Sequence, residues 1–169
     1  MCCNPNGSGG GPSVSTPPIG ASLEAEIDTV GYIAPGASRA TNPVTQAMGG
    51  GFVAGTRLVF VAMAPLEFQA DGESYQVLLE LQSSIDAGGS WQTAGSVVYV
   101  GLQPAGLGAP RIPLPILGQL DFTTAPTGDN VQLRILVTND ASSTSGVLLV
   151  GGAPGTPGIP RINFTLASA

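Results

Sequence analysis

Apolar and polar residues alternate along four segments of this chain, and this period of two restricts the folds open to it. The alternation covers residues 23–28, 75–82, 131–138 and 161–166. Successive side chains of a β-strand point to opposite faces, so each segment is predicted to form a strand with one face on a core. No window longer than a turn or two has the spacing and caps of a helix. The sequence therefore predicts an all-β protein.

Further strands, and the turns between them, indicate the architecture. Residues 57–63 and 96–102 are apolar on both faces, which is typical of central strands or of strands whose outer face meets another chain. Residues 116–122 and 147–150 are predicted as additional strands. The 25 glycines and 15 prolines cluster between these runs, as turn residues do. We therefore expect an antiparallel two-sheet sandwich, a jelly roll or a related Greek key.

The chain is expected to divide into an N-terminal arm, residues 1–20, and a β-sandwich domain, residues 21–169. The arm is rich in Gly, Pro and Ser and has almost no side chains to bury, so it cannot repay the entropy of ordering by itself. We expect it to lie on a neighbouring subunit, with Pro12, Pro17 and Pro18 as interface candidates. The alternative is that the arm folds back over its own domain.

Three long connections are predicted, at residues 34–56, 103–115 and 151–160. The second contains four prolines, which remove ladder hydrogen bonds and favour an extended, polyproline-like path. Stiff apolar loops lose little entropy when they dock, so this segment is predicted to lie at a protein contact. The alternative is that it caps the open end of its own sandwich. Its interface candidates are Leu107, Arg111, Ile112 and Leu114.

Charged residues are scarce, at 9% of the chain against roughly 25% in a typical soluble domain. The five basic residues are all Arg, there is no Lys or His, and the net charge is −6. This balance argues against nucleic acid and anionic membranes as partners. The lack of His excludes most catalytic triads and transition-metal sites. We expect no enzyme activity, no cofactor and no metal site, and a surface partly covered by other chains.

The N-terminal sequence carries no recognisable secretory signal, and no run of 18 apolar residues predicts a membrane-spanning helix. Cys2 and Cys3 are adjacent in this segment. We interpret them as free thiols, with an intermolecular disulfide as the alternative.

Three carboxylates, Glu24, Glu26 and Asp28, alternate along one predicted strand and share a face. Such spacing is typical of a solvated strand face. The alternatives are a site for a hard cation such as Ca²⁺ and, less favoured, a glycosidase carboxylate pair.

The sharpest local motif is SIDAGGSW at residues 84–91. It resembles the Asp-box, S-x-D-x-G-x-[ST]-W, and matches it at all five defining positions. The resemblance implies a β-hairpin turn whose Ser and Asp side chains bond turn amides, with a glycine at positive φ and a tryptophan packed under the loop. A single copy indicates a structural hairpin, unlike the repeated boxes of sialidase propellers. The hairpin residues are Ser84, Asp86, Gly88, Ser90 and Trp91.

Taken along its whole length, the chain resembles the capsid decoration, or cement, proteins of tailed bacteriophages. The resemblance is in overall character: a small β-sandwich with a low-complexity arm, apolar loops and few charges. It implies a virion location, a homo-oligomer that is commonly a trimer, and the major capsid protein or another virion protein as partner. Such a protein braces neighbouring capsomers. The alternatives are a tail, neck or fibre-anchoring protein of the virion and a carbohydrate-binding module.

Overall fold

A computed structural model describes residues 22–25, 30–47, 57–103, 106, 111–121, 130–149, 162–165 and 167–168. Within these residues there is no helix. The strands are β1 (Ser22–Ala25), β2 (Val30–Ile33), β3 (Ser38–Ala40), β4 (Val44–Ala47), β5 (Arg57–Phe68), β6 (Ser74–Ser84), β7 (Gln92–Leu102), β8 (Arg111–Asp121), β9 (Asn130–Asn139), β10 (Val147–Leu149), β11 (Ile162–Thr165) and β12 (Ala167–Ser168). The expected arm, residues 1–20, lies outside the described residues.

Ten of the described strands form two larger antiparallel sheets, β1 and β11 form a separate two-stranded one, and the pairings are nested in the sequence. The first sheet has the order β2-β10-β5-β8, with β12 also beside β5, and the second has the order β3-β9-β6-β7, with β4 also beside β9. From the outermost pair inwards, β1 pairs with β11, β2 with β10, β3 and β4 with β9, β5 with β8, and β6 with β7. A long hairpin rolled up in this way is a jelly roll. The all-β, two-sheet expectation is confirmed, and the topology selects the jelly roll among its variants.

The core forms because the long strands bury every second side chain. Along β9 the buried and half-buried residues alternate strictly, and β6 follows the same pattern over most of its length. Alternating burial is the consequence of the period-two sequence, since one face of each strand meets the opposite sheet. The largest fully buried side chains are Phe68, Ile33, Leu66, Leu79, Leu81, Ile116 and Leu133.

Three aromatic rings in the core join the two sheets. The ring of Phe68 on β5 lies 4.6 Å from that of Tyr75 and 4.9 Å from that of Tyr99, centroid to centroid. The Tyr75 hydroxyl donates a hydrogen bond to the carbonyl of Ala70 at 2.9 Å, so its polar end is satisfied at the rim of the core.

The structure corrects two of the predicted connections. Residues 34–56 contain two strands, β3 and β4, each too short to show an alternating pattern. Residues 103–115 are not loop throughout, because β8 begins at Arg111 and pairs with β5 along its whole length. Strand β2 was not predicted at all and has only four residues.

The prolines of β8 fit this ladder because of where their nitrogens point. Pro113 lies opposite Pro65, and Pro115 lies opposite Met63. Two prolines can face each other only at a non-hydrogen-bonded pair, where both backbone nitrogens point away from the partner strand. Pro115, two residues further on, has the same orientation. Both nitrogens therefore face the outer side of β8, which pairs with β5 alone among the described strands.

Strands β7 and β8, from opposite sheets, come into backbone contact at two glycines. A Cβ placed on Gly95 would overlap the carbonyl oxygen of Leu117 and lie 2.7 Å from the Cα of Gly118. A Cβ on Gly118 would lie 2.8 Å from a methyl carbon of Leu81 and 3.3 Å from the Ala94 backbone. Only residues without a side chain permit this approach. The two sheets therefore meet most closely at this corner.

We predict that Gly95→Ala destabilises the fold by about 1–3 kcal/mol, because backbone atoms of β8 would have to move to admit the new methyl group. Gly31→Ala is the matched control, since its Cβ would meet only the end of the flexible Arg39 side chain, at 3.6 Å. Urea denaturation of both variants measures the difference. Equal midpoints for the two variants would contradict the close approach.

Candidate functional site

The turn between β6 and β7 is organised around the carboxylate of Asp86. Its Oδ1 accepts a hydrogen bond from the backbone N–H of Ser90 at 2.8 Å and lies 2.7 Å from the Ser84 hydroxyl, which donates to it. Its Oδ2 accepts from the Ser90 hydroxyl at 2.6 Å. The Ser84 oxygen in turn accepts the N–H of Gly88 at 2.9 Å. Both carboxylate oxygens are thus engaged in holding the turn.

Two consecutive residues of the turn have left-handed backbone geometry. Gly88 has φ of +88° and Ala87 has φ of 57°. A Cβ on Gly88 would lie 2.9 Å from the side-chain oxygen of Gln132 on β9. Glycine is therefore favoured at position 88 for two reasons: the backbone φ is positive, and the Gln132 side chain leaves little space for a Cβ.

Trp91 connects this turn to the neighbouring strand. The guanidinium carbon of Arg134, on β9, lies 4.0 Å from the centre of the Trp91 ring, a cation–π contact. The Nε of Arg134 donates to the side-chain oxygen of Gln82 at 2.8 Å, which orients the guanidinium over the ring. Trp91 is half-buried and covered by this contact. The hydrogen bonds of Ser84 and Asp86 and the cation–π contact of Trp91 are all made within the protein, which indicates a structural role for the hairpin.

A surface of aliphatic side chains lies beyond the hairpin, along the outer face of β7. Val98, Val100 and Leu102 are 54%, 71% and 66% exposed, and Leu117 on β8 is 69% exposed. On β7 the alternate residues Val97 and Tyr99 pack against the core. The apolar character of residues 96–102 on both faces is visible in the sequence, but these side chains are not among the interface candidates predicted from it.

A groove of about 300 Å³ opens beside this surface, at the end of the β6–β7 ladder. The side chains of Gln76, Val100, Leu102 and Ser142 form its walls. None of its lining residues is charged. The groove can accommodate an apolar side chain, and it offers no acid–base pair for catalysis.

The interface candidates from the sequence fall in different places. Pro12, Pro17, Pro18 and Leu107 lie outside the described residues, and Arg111 is the first residue of β8, opposite Glu67. Ile112 and Leu114 are half-buried and pack against the core of their own sandwich. Their role at a contact with another chain stays a prediction.

The acidic candidates do not form a described site. Glu24 lies on β1, opposite Asn163, and Glu26 and Asp28 fall outside the described residues, as do Cys2 and Cys3. Among the residues that the structure describes, no three potential metal ligands cluster. No helix in the described part of the chain has the length and apolar character needed to cross a membrane.

One ion pair joins the ends of β5 and β8. The Nε of Arg57 donates to Asp121 Oδ1 at 2.6 Å and its Nη2 to Oδ2 at 3.3 Å. The hydrogen bond from Arg57 lowers the pKa of Asp121, and the same bond raises the pKa of Arg57. Both side chains are about half exposed, so the pair helps to define the register of β5 and β8 more than it stabilises the fold.

Similarity between this chain and known proteins is found in structure and not in sequence. No protein-family model matches the sequence, and no curated protein sequence matches it. Among solved structures, a chain from the "Structure of infectious bursal disease virus Gt strain" is similar, with a TM-score of 0.41 and 12% identity over 90% of this chain. The similarity covers 38% of that viral chain, so this protein spans well under half its length. At such identity the likeness concerns the fold alone.

The Asp86 hydrogen bonds predict a pH-dependent contribution to stability. Hydrogen bonds from the Ser90 and Ser84 side chains lower the pKa of Asp86 to about 2, from 3.8. A carboxylate whose pKa is depressed by folding stabilises the protein above its unfolded pKa, and this contribution is lost as pH falls through the folded value. We therefore expect Asp86→Ala to lower the melting temperature at pH 6.

The same difference from the parent should shrink as the pH is lowered from about 4 to about 2, where the Asp86 carboxylate becomes protonated. Thermal denaturation of both proteins across this range measures it. Ser90→Ala should show part of the same effect, because it removes the largest cause of the lowered pKa. A melting difference that is constant from pH 6 to pH 2 would contradict the role given to Asp86.

Backbone geometry in the same turn predicts unequal effects of substitutions at two neighbouring residues. Gly88→Ala should destabilise by about 1–2 kcal/mol, because an L-residue at this φ is strained. Ala87→Gly removes a Cβ from a similar conformation and should change stability by no more than about 0.5 kcal/mol. Chemical denaturation of the pair measures both effects. A Gly88→Ala variant as stable as the parent would show that the turn does not need glycine.

Proposed function

We propose that this protein is a non-enzymatic structural component of a virion, most specifically a capsid decoration protein that binds neighbouring capsid subunits as an oligomer. The observation that carries the proposal is the row of aliphatic side chains Val98, Val100 and Leu102 on β7, each more than half exposed. Monomeric soluble proteins rarely expose contiguous apolar patches larger than a few hundred Å², and the largest exposed patch is often an interaction site.

The charge content of the chain supports the same conclusion. With 9% charged residues, much of the surface must be polar but uncharged or apolar. Such a surface suits contact with other protein chains better than free diffusion at high concentration. Burial of this surface between subunits would stabilise the assembly by mass action, which is how a decoration protein strengthens a shell. The jelly roll is compatible with this role, since viral capsid domains use it, although the fold alone assigns no function.

The aromatic side chains give little support to the carbohydrate-binding alternative. Sugar-binding sheet faces present exposed aromatic rings. Here Tyr75 and Tyr99 pack in or against the core, and Trp91 lies under Arg134. Tyr32, at 52% exposed, is a lone exposed ring among the described large hydrophobic residues. A tail, neck or fibre-anchoring role differs from decoration only in the partner and is separated from it by the experiment below.

Antibody labelling of intact particles tests the proposal. An antibody raised against the purified chain, with gold detection in electron microscopy, should label the outer surface of capsid heads in particles from the source culture. Label confined to the tail or neck would replace decoration by the alternative virion role. Absence of label from purified particles, together with retention of the purified chain on a glycan array, would overturn the virion assignment.

A further inference from the structure

In the two larger sheets formed by the described residues, three of the four edges carry features that disfavour pairing with another strand. The outer side of β8 has Pro113 and Pro115, whose nitrogens cannot donate a hydrogen bond. The β3/β4 edge is short and is interrupted by residues 41–43, which include a proline. Strand β2, at the far end of the first sheet, has four residues. Short strands and prolines are the devices by which natural sheets avoid edge-to-edge association.

The fourth edge, strand β7, has none of these protections. It is 11 residues long and contains no charged residue and no proline. Among the described residues it pairs with β6 alone. The β-bulge of β7 lies near the start of the strand, where its pairing with β6 shifts register between Leu81 and Gln82. Residues 96–102 therefore form regular strand. This uncharged segment also carries the exposed side chains of Val98, Val100 and Leu102.

Backbone hydrogen bonds show which groups of β7 face the free side. Gln103 donates its N–H to the carbonyl of Glu73 at 2.9 Å, so this pair is a hydrogen-bonded one. Pairs alternate along an antiparallel ladder, and Val98 and Val100 therefore occupy non-hydrogen-bonded pairs with β6. The N–H of Asp140 donates to the carbonyl of Gln76 at 2.9 Å, so the backbone polar groups of Gln76 point toward the β9 side. Gln76 lies opposite Val100, which agrees with a non-hydrogen-bonded pair between these two residues. The N–H and C=O groups that point away from β6 belong to Ser96, Val98, Val100 and Leu102.

We propose that residues 96–102 of β7 pair antiparallel with the same residues of a second copy of this chain, joining two four-strand ladders into one continuous sheet. With the two-fold axis at Tyr99, Val98 of one copy lies opposite Val100 of the other, and Ser96 lies opposite Leu102. Every outward-facing backbone group in the segment then acquires a partner. The aliphatic side chains form cross-strand pairs on the outer face of the joined sheet.

A second copy is the occupant that the edge itself favours. Each molecule carries the same unprotected strand, and no charge on that strand opposes an identical neighbour, since like charges across a ladder are what disfavours self-pairing. Two-fold pairing uses both free edges at once, and the protected β3/β4 edge at the other side of the sheet prevents continuation into a fibre. The association therefore closes at a dimer.

The proposed pairing depends on the proposed function in one respect: both treat this chain as a subunit of an assembly. It predicts a two-fold contact, whereas resemblance to decoration proteins implies a trimer. An edge contact of this length is small against the ~800 Å² that each partner buries in a standard interface. We therefore expect a dimer that dissociates at micromolar concentration, so the measurement must span that range.

Sedimentation analysis of the full chain, from about 1 to 200 µM, tests the pairing. Two variants are designed to weaken the pairing between the two copies in different ways. Val98→Lys places like charges in the paired segment, and Val100→Pro removes an N–H that faces the free edge without touching the ladder to β6. Each should raise the dimer dissociation constant by roughly tenfold or more. Ala40→Lys, an exposed residue on β3 at the opposite edge of the same sheet, is the matched control and should leave dimerisation unchanged.

Hydrogen exchange of single amides gives a second measurement that does not depend on variants. The amides of Val98 and Val100 should become protected as the protein concentration rises, whereas those of Val97 and Tyr99, bonded to β6, should be protected throughout. A monomer over the whole range, a trimer, or a dimer unaffected by both variants would overturn the pairing. None of those outcomes tests the virion assignment, which depends on the particle-labelling experiment. In turn, an absence of label would not contradict a dimer found by sedimentation.

Discussion

The register between β6 and β9 is the constraint on which the rest of the structure depends. Leu79 lies opposite Val137, and Leu81 lies opposite Ile135, so four fully buried side chains meet on one face of the second sheet. A slip of either strand by one residue would turn its own buried side chains to solvent, because strand side chains alternate between faces. At about 25 cal/mol per Å² of buried apolar surface, such a slip would forfeit much of the stability of the domain. The flanking strands can then vary in length around this central pair.

The parts of the fold that follow from the sequence are those decided by local pattern. Strands β6 and β9 were predicted because a long strand with one buried face leaves a clear alternation. The turn at residues 84–91 could likewise be anticipated, since Ser84 and Asp86 accept hydrogen bonds from amides four residues away. Short strands such as β3 leave no such pattern, because their position is determined by the strand beside them.

The errors in the prediction have a common physical cause. In the sequence, Pro113 and Pro115 argue against a strand, although proline is incompatible only with a ladder position whose N–H is needed. Whether it is needed depends on the neighbour, and the order of strands in a sheet is not encoded locally. For the same reason the sequence leaves two alternatives open for β7, a central strand or a strand whose outer face meets another chain. Residues 96–102 are apolar on both faces, which fits a central strand equally well, and only the sheet order makes β7 an edge.

A single bulge connects the hairpin to that edge. Thr93 pairs with Gln82, but Gly95 pairs with Leu81, so Ala94 is one residue too many on β7. Without it, every later residue of β7 would change face: Tyr99 would leave Phe68 for solvent, and Val98 and Val100 would turn inward. Ala94 packs against the core, and Gly95 beside it admits the backbone of β8. The extra residue therefore places the aromatic ring in the core and the aliphatic side chains outside. The apolar edge is thus a consequence of how the hairpin is closed.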